Sequence, residues 1–250
     1  PSLLSSTMAV HYAELLTRLG RMHEAQSILN SLSASLAREP RVLRLWMEQQ
    51  IRDRDYRSAQ STAERLLQLQ PDNPVWPALQ ADLQLRLNNP QQAETIARTA
   101  LLQRPSSIPL LLALTRALLA QGRGIEALEQ VTGAADQVKD GAHYLLLASV
   151  ASMLGQEALL ESAVDQAESF AQEDSNIWAA CAEFWGRQGR RDRRLIAVRK
   201  VLYLREEDPS ESLLWAGVTA ESGSKKDLLE ANEIIHRCLE KKPDDPQTLI

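Results

Sequence analysis

The chain has 250 residues, with 28 basic and 33 acidic side chains and a net charge of -5. That balance argues against a nucleic-acid backbone as the main ligand, because phosphate contacts need clustered excess positive charge. No run approaches the roughly 20 apolar residues that a membrane-spanning helix needs; the longest, Ile108 to Ala120, is short and contains Arg116.

The periodicity predicts helices of about 14 residues joined by short turns, with no stretch of strand alternation. Ala25, Ala59, Ala93 and Ala127 stand 34 residues apart, each near the start of the second helix of a predicted hairpin. The first hairpin, 6–39, carries Tyr12-Ala13, Leu16, Gly20, Ala25 and Leu29; the second, 40–73, carries Trp46-Met47, Asp55-Tyr56, Ala59, Leu66 and Pro71. In the third, 74–107, the first large residue is Trp76, one place early, which leaves the faces of that helix open by about one position. The fourth, 108–140, gives Leu111, Leu114-Thr115, Leu118, Gly122, Ala127 and Val131, and the fifth, 141–174, gives Tyr144, Leu147-Ala148, Ala151, Gly155, Leu160 and Val164.

The sixth hairpin, 175–209, shows Trp178, Cys181-Ala182 and Trp185; the seventh, 210–243, is reached by a step of 37 from Arg194 to Ala231. That step implies either a longer approach through Glu206-Glu207-Asp208-Pro209 or an enlarged turn at Ser222-Gly223-Ser224-Lys225-Lys226. Pro243-Asp244-Asp245-Pro246 echoes Pro71-Asp72-Asn73-Pro74, so 244–250 read as the start of a further, cut-off repeat, and the chain, opening on Pro1, reads as a segment of a longer polypeptide. Gly20, Gly122, Gly155 and Gly189 fall where each first helix must stop and suit a left-handed cap. Leu160 and Arg194 replace the small residue at the close-approach position.

This spaced pattern of large and small residues resembles the tetratricopeptide repeat family over essentially the whole chain. The resemblance implies an all-α, right-handed superhelical solenoid of about seven hairpins with no β-sheet. Small residues let the two helices of a hairpin approach, and large ones fill the groove between hairpins. It further implies a non-catalytic protein-interaction scaffold whose first helices line a concave groove for a peptide or protein. The Arg-rich, Lys-poor and Gln-rich composition is similar to that of bacterial arrays, whose members commonly serve envelope, secretion or pilus assemblies. The competing reading is a substrate-recruiting module of an enzyme whose catalytic domain, such as a glycosyl- or sulfotransferase, lies outside this segment.

No cofactor or metal follows from these residues. Gly122-Arg123-Gly124 lacks the preceding strand and the Lys-Ser/Thr of a phosphate loop, and His11, His23, His143 and His236 are scattered without partners at metal-ligand spacing. Cys181 and Cys238 fall in helices that do not adjoin when hairpins stack in order, so both are expected to be free thiols, which favours a reducing, cytoplasmic compartment over the periplasm.

The expected binding face begins as a series of acids followed four residues later by arginine: Glu14 and Arg18, Glu48 and Arg52, Asp82 and Arg86, Glu183 and Arg187. One reading is exposed pairs that each stabilise their own helix by roughly 0.2 to 0.5 kcal/mol. The other is a ladder of Arg18, Arg52 and Arg86, joined by Arg41, Arg44 and Arg116, that takes up carboxylates of a partner. Val10, Glu14 and Val75 stand where the family's carboxylate-clamp sites use Lys and Asn, so chaperone-tail binding is not expected. Further along, Leu112, Leu119 and Leu145, with Ser149 and Met153 nearby, make the face apolar, either through burial against neighbouring first helices or as a pocket for a hydrophobic anchor. The two properties together suit an acidic, hydrophobic segment. Arg187, Arg190, Arg191, Arg193 and Arg194 crowd the turn of the sixth hairpin, as a hydrated rim or as a docking site for an acidic partner. Terminal repeats with uncapped apolar faces could also self-associate.

Overall fold

The computed structural model describes residues 6–31, 39–204, 216–217, 219–220 and 225–241, and among them there are thirteen helices and no strand. They fall into two compact units, residues 1–130 and 131–250. The first holds α1 (Ser6–Arg18), α2 (Met22–Ser31), α3 (Pro40–Arg52), α4 (Tyr56–Leu69), α5 (Val75–Arg86), α6 (Pro90–Gln103) and α7 (Ile108–Ala120), together with the start of α8 (Gly124–Val138). The second holds α9 (Gly141–Met153), α10 (Glu157–Ala171), α11 (Ser175–Arg187), α12 (Arg191–Leu204) and α13 (Lys225–Lys241).

Local chemistry explains where the helices begin. Proline stands in the first turn of α3, α6 and α7, where its missing N–H costs nothing. The carboxylates of Asp55, Asp140 and Asp174 accept the orphan amides of Ser58, His143 and Asn176 at 3.2, 2.8 and 2.9 Å.

One device ends the first helices. Gly20, Gly122, Gly155 and Gly189 take φ of 74, 75, 67 and 68°, as the sequence predicts, but Arg54 and Asn88 occupy the same slot at 61 and 62°. In all six turns the following residue donates its amide to the carbonyl five residues back, as in Arg123 to Leu118 and Asp55 to Gln50, at 2.8 to 2.9 Å. This is the Schellman bond, and it turns the chain into the second helix of each hairpin.

Small residues then set the packing. Ala25, Ala59, Ala93 and Ala127 are all buried. Ala59, Ala63 and Leu66 of α4 share a core with Leu43 and Met47 of α3 and with Trp76 and Leu83 of α5. Ala93 and Ala97 of α6 sit among Ala78 and Ala81 of α5, Leu110, Leu114 and Leu118 of α7, and Ala127. The one-position ambiguity at Trp76 resolves to the common register: Ala81, 34 residues from Met47 and from Thr115, is buried like both of them. Trp76 fits beside this unchanged register by turning its indole N–H back to Gln70 Oε1 at 3.0 Å.

In the second unit, α9 packs on α10 and α11 on α12. Leu160 is buried at the position the first unit gives to alanine. At the equivalent place in the sixth hairpin, Arg194 is accommodated because the small residue has moved to the facing helix: a Cβ on Gly186 would lie 3.0 Å from Arg194 Nε. Ala231 of α13 is buried with Ala216 and Ile234. The two explanations offered for the longer step before it involve Glu206 to Pro209 and Ser222 to Ser224, which lie outside the described residues, as do 244–250 and the side chain of Cys238. Cys181 is a buried free thiol whose pKa burial pushes up to about 12, which makes it unreactive at neutral pH.

Candidate functional site

The first helices of the first unit, α1, α3, α5 and α7, carry six arginines (Arg18, Arg41, Arg44, Arg52, Arg86 and Arg116) and three carboxylates (Glu14, Glu48 and Asp82) as their only arginine, lysine, aspartate and glutamate residues. The 34-residue period places equivalent side chains of successive first helices side by side, so the ion pairs form between hairpins. Arg116 reaches both oxygens of Asp82, 34 residues earlier, at 3.2 and 3.0 Å. Arg44 lies 3.7 Å from Glu14 in the preceding hairpin and 3.6 Å from Glu48 in its own helix.

Of the four expected pairings of acid and arginine at i,i+4, only Glu183 and Arg187 form one, at 3.5 Å. In the other three the acid is met by a different arginine: Glu14 by Arg44 and Asp82 by Arg116 from the next hairpin, and Glu48 by Arg44 of its own helix. Arg86 instead lies over the Tyr56 ring, 5.6 Å from its centroid. Arg18, Arg41 and Arg52 are exposed and make no contact with a described residue. These surface pairs are partly solvated and contribute at most about 1 kcal/mol each; their importance is that they leave three cations available on one face.

Leu112 and Leu119 are half-buried on α7, and Arg116 stands between them at helical spacing, so apolar and basic groups share that surface. α7 is buried on more than one side, with Leu110, Leu111, Ala113, Leu114, Ala117 and Leu118 enclosed. In the second unit Leu145 is half-buried, Ser149 donates its hydroxyl to the Leu145 carbonyl at 2.9 Å, and Met153 is exposed.

The arginine-rich turn makes most of its polar contacts within the protein. Arg190 pairs with Glu161 of α10. Arg193 bonds Asp165 at 2.5 Å and Glu168 at 2.8 Å, and its guanidinium lies 4.4 Å from the centroid of the Trp185 ring. Trp185 in turn donates its indole N–H to Glu168 at 2.5 Å. The cluster therefore clamps the sixth hairpin to the fifth, leaving Arg191 exposed at its edge.

A second network joins α6 to the turn and second helix of the fourth hairpin. Glu94 of α6 accepts from Arg98 at 2.8 Å, from Gln121 at 2.8 Å and from Arg123 at 2.6 Å, while Glu126 accepts from Arg98 at 2.5 Å and Arg123 at 2.6 Å. Burial pushes the Glu94 carboxyl up, but hydrogen bonds from Arg98, Gln121 and Arg123 outweigh it and hold its pKa below the usual carboxylate value. The clue was available: Glu94 to Arg123 and Glu161 to Arg190 are both separations of 29.

His143 is buried, with Nδ1 2.8 Å from Asp140 Oδ1. Burial raises the Asp140 pKa, and the backbone amide and ring of His143 more than reverse this. Among the described residues no group of three or more His, Cys, Asp or Glu side chains is placed to hold a metal, and no helix is long and apolar enough to cross a membrane.

The tetratricopeptide repeat profile matches residues 50–109, and no curated protein matches the chain. Among solved structures, a tetratricopeptide repeat protein from Parabacteroides merdae is similar over 95% of this chain and 86% of its own, with 14% identity and a TM-score of 0.56. A thermophilic tetratricopeptide protein from Thermus thermophilus shares 23% identity over 70% of this chain and 96% of its own, with a TM-score of 0.48. PilW, described as a type IV pilus biogenesis factor, shares 18% over 84% and 96%, also with a TM-score of 0.48. Residues 50–109 thus match the tetratricopeptide repeat family, and the 34-residue hairpins, the alanine close-approach sites and the likeness to the Parabacteroides merdae protein show the fold of that family.

Proposed function

We propose that the face built by α1, α3, α5 and α7 binds an acidic, amphipathic segment of a partner protein. The observation that carries this reading is charge segregation: these helices bear six arginines against three carboxylates, in a chain whose net charge is -5. Arg18, Arg41 and Arg52 supply unpaired cations, and Leu112 and Leu119 beside Arg116 supply an apolar anchor point. A rigid helical array lowers the entropic cost of ordering such a segment. This reading makes the chain an organising part of a larger assembly, of the envelope or secretion kind that its composition suggests.

Fluorescence anisotropy with an acidic amphipathic peptide, and with a matched peptide carrying lysines in place of its acids, tests the idea. The acidic peptide is expected to bind, to weaken as salt rises from about 20 to 300 mM, and to lose at least tenfold in affinity to the double variant Arg18→Glu, Arg52→Glu. Equal binding of the two peptides overturns the proposal.

A further inference from the structure

Arg116 stands where charged and apolar groups of the first unit meet. It follows Leu112 by four residues and precedes Leu119 by three, a spacing that puts the three side chains on one face of α7. Arg116 is exposed and both leucines are half-buried. Its ion pair uses little of the guanidinium: Nη1 alone donates to both oxygens of Asp82. Arg116 makes no other hydrogen bond or ion pair with a described residue. A guanidinium carries five N–H donors, and the edge formed by Nε and Nη2 is a fork that can take a carboxylate by two parallel bonds. Elsewhere that edge is spent. Arg98 gives Nε to Glu94 and Nη2 to Glu126, and Arg190 gives both to Glu161. In Arg116 it stays open beside two leucines, where a charge-assisted bond is stronger than in bulk water.

We infer that the Nε–Nη2 edge of Arg116 is a carboxylate subsite that reads a glutamate or aspartate set between two large apolar side chains of a partner helix, with Asp82 as its positioning residue. The subsite rests on the peptide-binding reading proposed above and specifies the sequence that the face selects. Leu112 and Leu119 lie about 10 Å apart along the axis of α7. A partner helix laid along α7 has the same rise per residue. Leucines seven apart with an acid between them therefore match the series of apolar, cationic and apolar groups position by position. Asp82 belongs to the preceding first helix, α5, and holds Nη1 from there. It fixes the plane of a side chain that would otherwise lose rotamer freedom on binding, and it does so without occupying the fork.

Fluorescence anisotropy of the whole chain with two acidic amphipathic peptides tests this. One holds a glutamate between leucines seven residues apart, and its twin has glutamine at that place alone. The parent is expected to prefer the first by about tenfold. Arg116→Gln is expected to abolish the preference while leaving the affinity for the twin unchanged. Asp82→Ala should cut the preference by about threefold, and Asp82→Asn, which keeps an oxygen for Nη1, should restore it. Melting temperatures should stay at the parent value, because the pair is solvated. Equal binding of the two peptides by the parent, or a preference that survives Arg116→Gln, overturns the subsite and leaves the broader reading standing. A stronger preference in Asp82→Ala would show that Asp82 competes for Arg116, which overturns its positioning role. Binding of neither peptide overturns both the subsite and the reading beneath it.

Discussion

The joint between the third and fourth hairpins and the joint between the fifth and sixth use the same register positions, but the pair Arg98–Glu126 of the first is reversed to Asp165–Arg193 in the second. In the first, the hub is an anion, Glu94, which gathers Arg98, Arg123 and Gln121. In the second, the hub is a cation, Arg193, set between Asp165 and Glu168 and lying on Trp185. Both keep one element in common: an arginine at the start of the second helix reaches an acid 29 residues earlier, as Arg123 to Glu94 and Arg190 to Glu161. The repeat therefore conserves the geometry of the clamp more strictly than its sign, because the 34-residue frame fixes where side chains meet and any complementary pair there satisfies it.

The largest effect comes from removing what supports the cationic hub. Trp185 is a large, fully buried side chain that both fills the core and orients Glu168 beneath Arg193. Trp185→Ala is expected to cost about 3–5 kcal/mol. Hydrogen exchange should show protection lost first across 157–204, with 75–103 kept near parent values. A uniform loss across both regions would show that the two joints are not energetically separate.

At the anionic hub the effect is smaller and depends on pH. Glu94→Gln keeps the shape and removes the charge; because Arg98 and Arg123 are partly solvated, the expected cost at pH 7 is about 1 kcal/mol. The folded pKa of Glu94 is depressed, so its contribution is fully present above the unfolded value of about 4.3. It is lost as pH falls through the folded value. Urea denaturation of parent and variant should therefore give midpoints that differ at pH 7 and converge in acid. A gap that persists unchanged at low pH would mean that packing, and not charge, holds this joint.

The fold was legible because its determinants are local or strictly periodic. Ala59, Ala93 and Ala127 mark the close approaches by spacing alone, and Gly122 and Gly155 mark turns through the one residue type that suits positive φ. The joints were not legible in the same way. A salt bridge between Glu161 and Arg190 leaves no local pattern, and the arginines around it look like a solvated rim until the partner helix is in place. The same holds for Asp82, whose near arginine in sequence, Arg86, is taken by Tyr56 while Arg116 arrives from the next hairpin. Arg18, Arg41 and Arg52 stand in the sequence beside Arg44, Arg86 and Arg116 as one basic ladder, and only the structure separates them from the arginines already engaged.

The smallest expected effect tests the turn shared by all six first helices. Gly122 and Arg54 hold φ of 75 and 61° in the same Schellman bond, yet only the glycine does so without a clash between Cβ and backbone. For Arg54 that strain costs roughly 1–2 kcal/mol, and replacing it by glycine recovers this while adding about 0.5–1 kcal/mol of unfolded-state entropy to be overcome. The Arg54 side chain is exposed and makes no contact with a described residue, so nothing else is lost. Arg54→Gly is therefore expected to stabilise the chain by about 0.5 kcal/mol, and Asn88→Gly by less, since asparagine tolerates the left-handed region. Gly122→Arg should move stability the other way by a similar amount. Thermal melts of the three variants would order them Arg54→Gly, Asn88→Gly, Gly122→Arg from highest to lowest. An Arg54→Gly variant that melts below the parent would show that the arginine holds its turn by a contact outweighing the strain of its backbone.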